Sequence, residues 1–181
     1  MERRATIGLL FGSLASLLFT GFYDENKAAK LLLRPPGALD TGAFLATCIR
    51  CGKCAQICPQ KAIILGRGEH GLSIGTPYIQ PRQGACNLCM DCSKLCPSGA
   101  LRRVDKEKAH MGTAQINRDT CLAWQGDECK ICYTSCPFYN QAILLEDYKR
   151  PVVNPAVCAG CGICEQVCIT ELPSIAVKAR E

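Results

Sequence analysis

The feature that most constrains this chain is a cysteine pattern that occurs four times. Its first copy occupies residues 48–58, with Pro59 directly after it, and has the spacing C-x2-C-x2-C-x3-C-P. The other copies occupy residues 86–96, 121–136 and 158–168, and together the four contain all sixteen cysteines of the chain. Three thiols at intervals of three point inwards from one tightly wound loop, and a fourth lies just beyond it. The chain must therefore fold around four cysteine-rich loops.

Thiols in this spacing are typical ligands of iron–sulfur clusters. Iron in sulfide clusters prefers soft thiolates, and each [4Fe-4S] core takes four of them. A structural zinc site instead uses two separated C-x2-C pairs, and a disulfide scaffold scatters its cysteines irregularly. We therefore predict four [4Fe-4S] clusters as cofactors, held by all sixteen cysteines. The predicted ligands are Cys48, Cys51, Cys54, Cys58, Cys86, Cys89, Cys92, Cys96, Cys121, Cys129, Cys132, Cys136, Cys158, Cys161, Cys164 and Cys168.

The charge balance of the chain changes once the clusters are counted. The formal net charge is +5 with every cysteine neutral. Sixteen thiolates contribute −16 and four oxidised cores contribute about +8, so the loaded protein carries about −3. Aromatic residues are also sparse, with one Trp, five Tyr and five Phe, so the chain offers no stacking platform for bases. These features argue against a nucleic-acid partner.

The motifs that accompany catalysis are missing from the sequence. It contains no Gly-rich nucleotide loop and no G-x-S-x-G, and no cysteine remains outside the four motifs to act as a nucleophile. We therefore expect an electron carrier that is not an enzyme, has no catalytic residues and takes no small-molecule substrate.

Residues 1–23 form a separate unit in the sequence. Glu2-Arg3-Arg4 precede nineteen uncharged residues, from Ala5 to Tyr23, which is about the length that spans a bilayer as a helix. The arginines would stay on the cytoplasmic side, which places the remainder outside. An uncleaved twin-arginine-like signal would instead export the chain already folded around its clusters, and a buried globular helix is the third reading. We expect an anchor or signal that places the protein at the periplasmic side of the bacterial inner membrane.

The rest of the chain divides into a tether and a domain. Residues 24–40 contain Arg34-Pro35-Pro36-Gly37, and a double proline blocks helix and favours extended chain, so this segment is predicted to be a tether. Residues 41–181 are predicted to be one four-cluster domain, and the apolar pattern after Asp40 predicts a short helix leading into the first motif.

Short apolar strands are predicted around the motifs. One follows each motif and one precedes each of the last three, within residues 61–65, 78–80, 99–101, 114–117, 141–145, 151–154 and 174–177. The expected fold class is α+β, with two ferredoxin-like 2[4Fe-4S] modules of short strands and short helices after an N-terminal apolar helix. A core this small relies on metal to fold.

Two details of the motifs predict local structure. Gly52, Gly160 and Gly162 let the backbone approach closely, so that N–H groups can donate to sulfur. The third motif is stretched by an insertion between its first two cysteines, and Trp124 in that insertion is expected to pack beside a cluster.

The residues leave the partner of each fourth cysteine open. In a two-cluster ferredoxin, the fourth cysteine of one motif ligates the cluster of the other motif. Sequential pairing would join the first motif with the second and the third with the fourth. Nested pairing would join the first with the fourth and the second with the third, and the linker lengths permit either.

The chain resembles the NapG/MauM type of ferredoxin subunit, which belongs to periplasmic nitrate reductase and methylamine-utilisation systems. The match runs from about Arg34 to Val177, and its most diagnostic parts are Arg34-Pro35-Pro36-Gly37-Ala38-Leu39 and the stretched third motif. The resemblance implies a periplasmic carrier of four clusters. Its expected partners are a membrane quinol-oxidising iron–sulfur protein and a downstream cytochrome or reductase. A maturation factor for a periplasmic oxidoreductase, or a subunit of another membrane redox complex, stays open as an alternative.

That family also resembles the electron-transfer subunits of the dimethyl sulfoxide reductase class, and this second resemblance implies nested pairing. The implied ligand sets are Cys48, Cys51, Cys54 with Cys168; Cys158, Cys161, Cys164 with Cys58; Cys86, Cys89, Cys92 with Cys136; and Cys121, Cys129, Cys132 with Cys96.

Overall fold

The structure is a computed structural model that describes residues 31–180. The predicted anchor or signal of residues 1–23 and residues 24–30 of the predicted tether lie outside the described residues. From Leu31 onwards the chain packs as one body. None of the helices in residues 31–180 has the length and apolar character needed to cross a membrane.

The helices of the described chain are short because cysteine loops and turns interrupt them. They are α1 (Thr41–Thr47), α2 (Lys53–Ile57), α3 (Asp91–Lys94), α4 (Leu122–Gln125), α5 (Ile131–Thr134) and α6 (Ile163–Gln166). Short 3-10 segments lie at Gly68–Ser73 and Lys106–Lys108. Helix α1 confirms the helix predicted before the first motif. Each of α2, α3, α5 and α6 carries the third cysteine of its motif, so one helical turn positions that thiol in every copy.

Strands flank the motifs much as the sequence predicts. They are β1 (Ile63–Leu65), β2 (Pro77–Ile79), β3 (Gly112–Ile116), β4 (Ile143–Glu146), β5 (Arg150–Val153) and β6 (Ile175–Ala179). All pair antiparallel, β1 with β2, β4 with β5 and β3 with β6. The strand predicted within residues 99–101 is reduced to a single bridge, in which Leu101 pairs with Ala38.

The pairing repeats the same topology twice, in a first half (residues 31–110) and a second half (residues 111–180). In each half a hairpin follows the first motif, β1–β2 or β4–β5. In each half the beginning and the end of the chain also pair, through the bridge of Ala38 with Leu101 or through β3 with β6. Each half therefore closes on itself around two cysteine motifs, and the described chain is a small α+β protein with cysteine-rich loops.

The prediction of a tether is wrong for residues 31–40, which pack into the first half. Arg34, Pro35 and Pro36 are buried. The Leu39 N–H donates to the Ala100 carbonyl at 3.1 Å, and the Arg102 N–H donates to the Gly37 carbonyl at 2.7 Å. The double proline does keep the chain extended, but an extended chain can pair with a neighbouring segment, and here it does so.

Apolar side chains and cysteines share the interior. One cluster of buried residues surrounds Phe44, Ile79 and Leu101 in the first half, and another surrounds Ile143 and Ile175 in the second half. Buried cysteines belong to both clusters, namely Cys86, Cys92, Cys161, Cys158 and Cys164. The core is therefore built directly around thiol groups.

The two halves meet where the second motif faces the fourth. The Cys86 N–H of the first half donates to the Cys161 carbonyl of the second half at 2.9 Å. The Arg82 guanidinium donates to the Cys168 carbonyl at 2.8 Å. These bonds set the position of one half against the other.

Candidate metal centres

Three cavities of similar size each contain four cysteines, three from one motif and the fourth from another. Site A holds Cys48, Cys51, Cys54 and Cys96, site C holds Cys121, Cys129, Cys132 and Cys168, and site D holds Cys136, Cys158, Cys161 and Cys164. They enclose about 350, 390 and 340 Å³ of space between the protein atoms, part of it open to solvent. The remaining walls are mostly apolar, for example Phe44 in site A and Ile143 in site D.

The other four cysteines gather around the second motif as site B, which comprises Cys58, Cys86, Cys89 and Cys92. Burial, and then negative charge on nearby cysteines, raises the pKa of Cys92 to about 12; those cysteines are Cys86, Cys54, Cys89 and Cys58. Burial likewise raises the pKa of Cys86 to about 12, with further contributions from Cys161, Cys89 and Cys58. The fourth cysteine of the first motif therefore lies beside the second motif.

The nested assignment of the fourth cysteines is wrong. Cys168 lies with the third motif and not with the first, and Cys58 lies with the second and not with the fourth. Cys96 likewise lies with the first motif and Cys136 with the fourth. The reason is that the hairpins and the closing strand pairs return the chain within each half, so that every fourth cysteine stays in its own half.

The donor set and the shape of the cavities fit a cluster better than a single ion. In the described part of the chain, no group of three or more Cys, His, Asp or Glu side chains is arranged to hold one metal ion. A lone zinc ion draws its thiolates to about 2.3 Å from one point, whereas a cube with iron at its corners holds them further apart. Four thiols spread around one largely apolar cavity match the second arrangement.

Backbone N–H groups point at several of the sulfurs. The Leu88 N–H donates to Cys86 Sγ at 3.4 Å, the Leu101 N–H to Cys96 Sγ at 3.4 Å and the Ala114 N–H to Cys158 Sγ at 3.5 Å. The hydroxyl oxygen of Thr170 also lies 3.1 Å from Cys168 Sγ. Such hydrogen bonds stabilise negative charge on sulfur and raise the reduction potential of a cluster held there.

Left-handed backbone on either side of the second cysteine shapes three of the four loops. The pairs are Arg50 and Gly52, Leu88 and Met90, and Gly160 and Gly162. Only the glycines among them could be predicted from the sequence, because non-glycine residues rarely adopt a positive φ and give no signal when they do.

The two glycines of the fourth motif also allow other segments of the chain to pack closely against this loop. A Cβ atom at Gly160 would lie 2.5 Å from the Gly112 backbone nitrogen, and one at Gly162 would lie 2.7 Å from the Pro81 side chain. The close approach predicted for these glycines is thus an approach to protein atoms, within the second half at Gly160 and across the junction at Gly162.

Burial makes several of the thiols weaker acids. Burial raises the pKa of Cys132 to about 12 and that of Cys54 and Cys161 to about 11. These thiols are therefore protonated at neutral pH without metal, and ligation replaces each proton because the ligand is the thiolate. Burial also acts on Cys96 and Cys168, but hydrogen bonds to their sulfurs outweigh it and lower both pKa values.

Trp124 lies at the edge of site C. Its Nε1–H donates to the carbonyl of Pro151, a residue that lines the cavity, at 3.1 Å. The Arg118 guanidinium lies 4.0 Å from the centroid of its ring, and the Arg150 guanidinium lies 5.4 Å from it. Trp124 thus packs beside the cavity, as predicted.

The four sites follow one another in an order that differs from the order of the motifs. Cys54 of site A lies close enough to Cys92 of site B for its negative charge to raise the pKa of Cys92. Cys132 of site C acts in the same way on Cys164 of site D. Between the halves, Cys86 of site B is hydrogen-bonded through its backbone to Cys161 of site D. The spatial order is therefore A, B, D and C.

This fold and these thiol sites define a class, the small iron–sulfur proteins of the ferredoxin kind. The family model described as a 4Fe-4S dicluster domain matches residues 47–100, the stretch that contains the first two motifs. The ferredoxin-type protein NapG of Escherichia coli (strain K12) is 42% identical over 166 residues, which cover 83% of this chain and 72% of that protein. The methylamine utilization ferredoxin-type protein MauM of Paracoccus denitrificans is 39% identical over 181 residues, which cover 93% of this chain and 79% of that protein. The chain belongs to the family of ferredoxin-type proteins that includes NapG and MauM.

Proposed function

We propose that this chain carries electrons from a membrane quinol-oxidising iron–sulfur protein to a periplasmic cytochrome or reductase, through four [4Fe-4S] clusters. Each bound cluster supplies a one-electron redox centre. The observation that supports this function best is the A, B, D, C succession of thiol sites, which runs through both halves. The relatives are themselves named ferredoxin-type proteins.

The cysteines hold the clusters as two ferredoxin-like dicluster modules, one in each half. The proposed ligand sets are Cys48, Cys51, Cys54 with Cys96; Cys86, Cys89, Cys92 with Cys58; Cys121, Cys129, Cys132 with Cys168; and Cys158, Cys161, Cys164 with Cys136. In each module the fourth cysteine of one motif serves the cluster of the other, as in two-cluster ferredoxins. The chain has no catalytic residue in this function.

Burial divides the four sites into a shielded middle and accessible ends. Three cysteines of site D and two of site B are buried, whereas Cys51 of site A is exposed. Apolar side chains also lie in solvent beside the end sites, Ile49 at site A with 63% exposed and Ile169 at site C with 62% exposed. The protein matrix keeps water from the middle sites, and sites A and C face the two redox partners.

We place the carrier at the periplasmic side of the inner membrane, anchored by or targeted through residues 1–23. This location rests on the apolar length of that segment and on the arginines that precede it. The roles of residues 1–23 as a membrane anchor and as an export signal can be separated by exporting residues 24–181 behind an unrelated cleavable signal. An anchor predicts that the carrier then leaves the membrane fraction, whereas a signal alone predicts no change in its distribution.

The cluster count is tested by iron and sulfide analysis together with EPR of the reduced protein. We expect sixteen irons per chain and spin-coupled signals, and a count of twelve or fewer would exclude four clusters. Electron transfer is tested by reconstituting the protein between a quinol-oxidising partner and a terminal cytochrome. If the cytochrome is not reduced, and a reductase matured without the chain is inactive even with chemical reductants, the protein is a maturation factor instead.

A further inference from the structure

Arg34 is a buried cation whose charge has no counterpart among the described acidic residues. Only 8% of the residue is exposed. Its guanidinium donates to Thr76 Oγ1 at 2.8 Å, to the Pro77 carbonyl at 2.9 Å and to Ser73 Oγ at 2.9 Å, all of them neutral acceptors. None of the ion pairs in residues 31–180 includes Arg34, and its Nε lacks a hydrogen-bond partner there.

A buried charge of this kind needs compensation from its surroundings. Removing an ion from water costs several kcal/mol even after relaxation, and an opposite charge is the usual compensation. Neutral hydrogen-bond acceptors satisfy the N–H groups but leave the positive charge in place. A negative charge near Arg34 would therefore compensate its buried positive charge.

Arg34 lies directly behind the wall of site A. Its guanidinium stacks on Phe44, with Cζ 4.7 Å from the centroid of the ring, and Phe44 lines site A and is fully buried. Pro77, whose carbonyl accepts a hydrogen bond from Arg34, lines the same cavity. The Phe44 carbonyl in turn accepts the Cys48 N–H at 2.8 Å. Phe44 and Pro77 are therefore the single layer of residues between this cation and the thiols of site A.

A cluster in site A would be the missing anion. Four thiolates and an oxidised core of charge about +2 leave a net charge of about −2, and reduction makes it more negative. Burial lowers the pKa of Arg34, and negative charge on Cys48 opposes that shift, which agrees with thiolates being its charge partners. Because a nearby positive charge favours the more negative reduced state, it raises the reduction potential.

We propose that Arg34 is the buried counter-charge of the cluster in site A and raises its reduction potential. This proposal rests on the proposed function, because it requires a cluster in that site. It also gives a role to the segment of residues 34–39, which packs along the cavity wall and brings the cation there.

Redox titrations followed by EPR test the proposal on the full cluster-loaded protein. We expect Arg34→Gln to lower the equilibrium constant for reduction of the site A cluster at least tenfold, which is about 59 mV for one electron. Cys51→Ser, which changes a ligand of this cluster alone, identifies its signal. The proposal would be overturned if the equilibrium constant for reduction of the site A cluster in Arg34→Gln stayed within a factor of three of the wild-type value.

Two further variants separate charge from structure. Arg34→Lys keeps the charge but loses the fork of hydrogen bonds, so we expect a constant within threefold of wild type. Arg102→Gln removes an exposed charge from the same part of the first half, and water should screen it to less than a threefold effect. A lysine variant as strongly shifted as the glutamine variant would show that hydrogen bonds, and not charge, are responsible.

Iron content covers the case in which Arg34→Gln loses the cluster. Twelve irons in that variant with sixteen in Arg34→Lys supports the counter-charge, and twelve in both overturns it. A wild-type protein with twelve or fewer irons would contradict the proposed function, and this result does not depend on the variants.

Discussion

Replacing Gly160 by alanine adds one methyl group where the fourth motif packs against the backbone of Gly112, within the second half. Gly160 has a φ of 69°, and the added Cβ would lie 2.5 Å from both the nitrogen and the oxygen of the Gly112 backbone. Holding alanine in the left-handed region costs about 1–2 kcal/mol. Overpacking against backbone, which cannot rotate away, adds about 1–3 kcal/mol. We therefore expect a loss of about 2–5 kcal/mol in the free energy of unfolding.

Gly99→Ala is the matched control for this substitution. Gly99 has a φ of 75°, and nothing lies within 4 Å of the position its Cβ would take. The control should therefore show only the conformational cost of about 1–2 kcal/mol. Urea unfolding of the cluster-loaded proteins, followed by circular dichroism and visible absorbance, measures both. If Gly160→Ala is at least as stable as Gly99→Ala, the tight contact between Gly160 and Gly112 is refuted.

Three further predictions concern the clusters and the core. Cys168→Ser should alter the EPR signal that Cys129→Ser alters, because both cysteines line site C; coincidence with the Cys51→Ser signal would instead support nested pairing. Phe44→Ala should lower the free energy of unfolding by about 3–5 kcal/mol, since Phe44 is fully buried, and chemical denaturation with exposed Leu172→Ala as control measures this. Removing iron with a chelator under reducing conditions should unfold most of residues 31–180, because the core is built around thiols, and retained native circular dichroism would contradict this.

Local features of the fold could be predicted from the sequence because they depend on neighbouring residues. The alternation of motifs with short apolar runs predicted every strand from β1 to β6, and the apolar pattern after Asp40 predicted α1. Asp40 occupies the N-cap position of α1, but its side chain makes no capping hydrogen bond. The buried course of residues 31–40 could not be predicted locally either, because a double proline is equally compatible with an exposed tether and a packed strand.

The sequence by itself determined the chemistry of this protein. Cysteine type and spacing are enough to indicate iron–sulfur ligands, because the three thiols of one loop are brought together by the local backbone. The number of motifs and the residues available as ligands follow in the same way.

Only the tertiary structure decided which cysteines share a site. The fourth cysteine reaches a partner far along the chain, and both candidate partners were compatible with the linker lengths. Strand pairing closes each half on itself, which places Cys96 in site A and Cys168 in site C. The contact of Cys86 with Cys161 then sets the order of the four sites. Long-range contacts depend on packing between segments, and no spacing within a single motif contains that information.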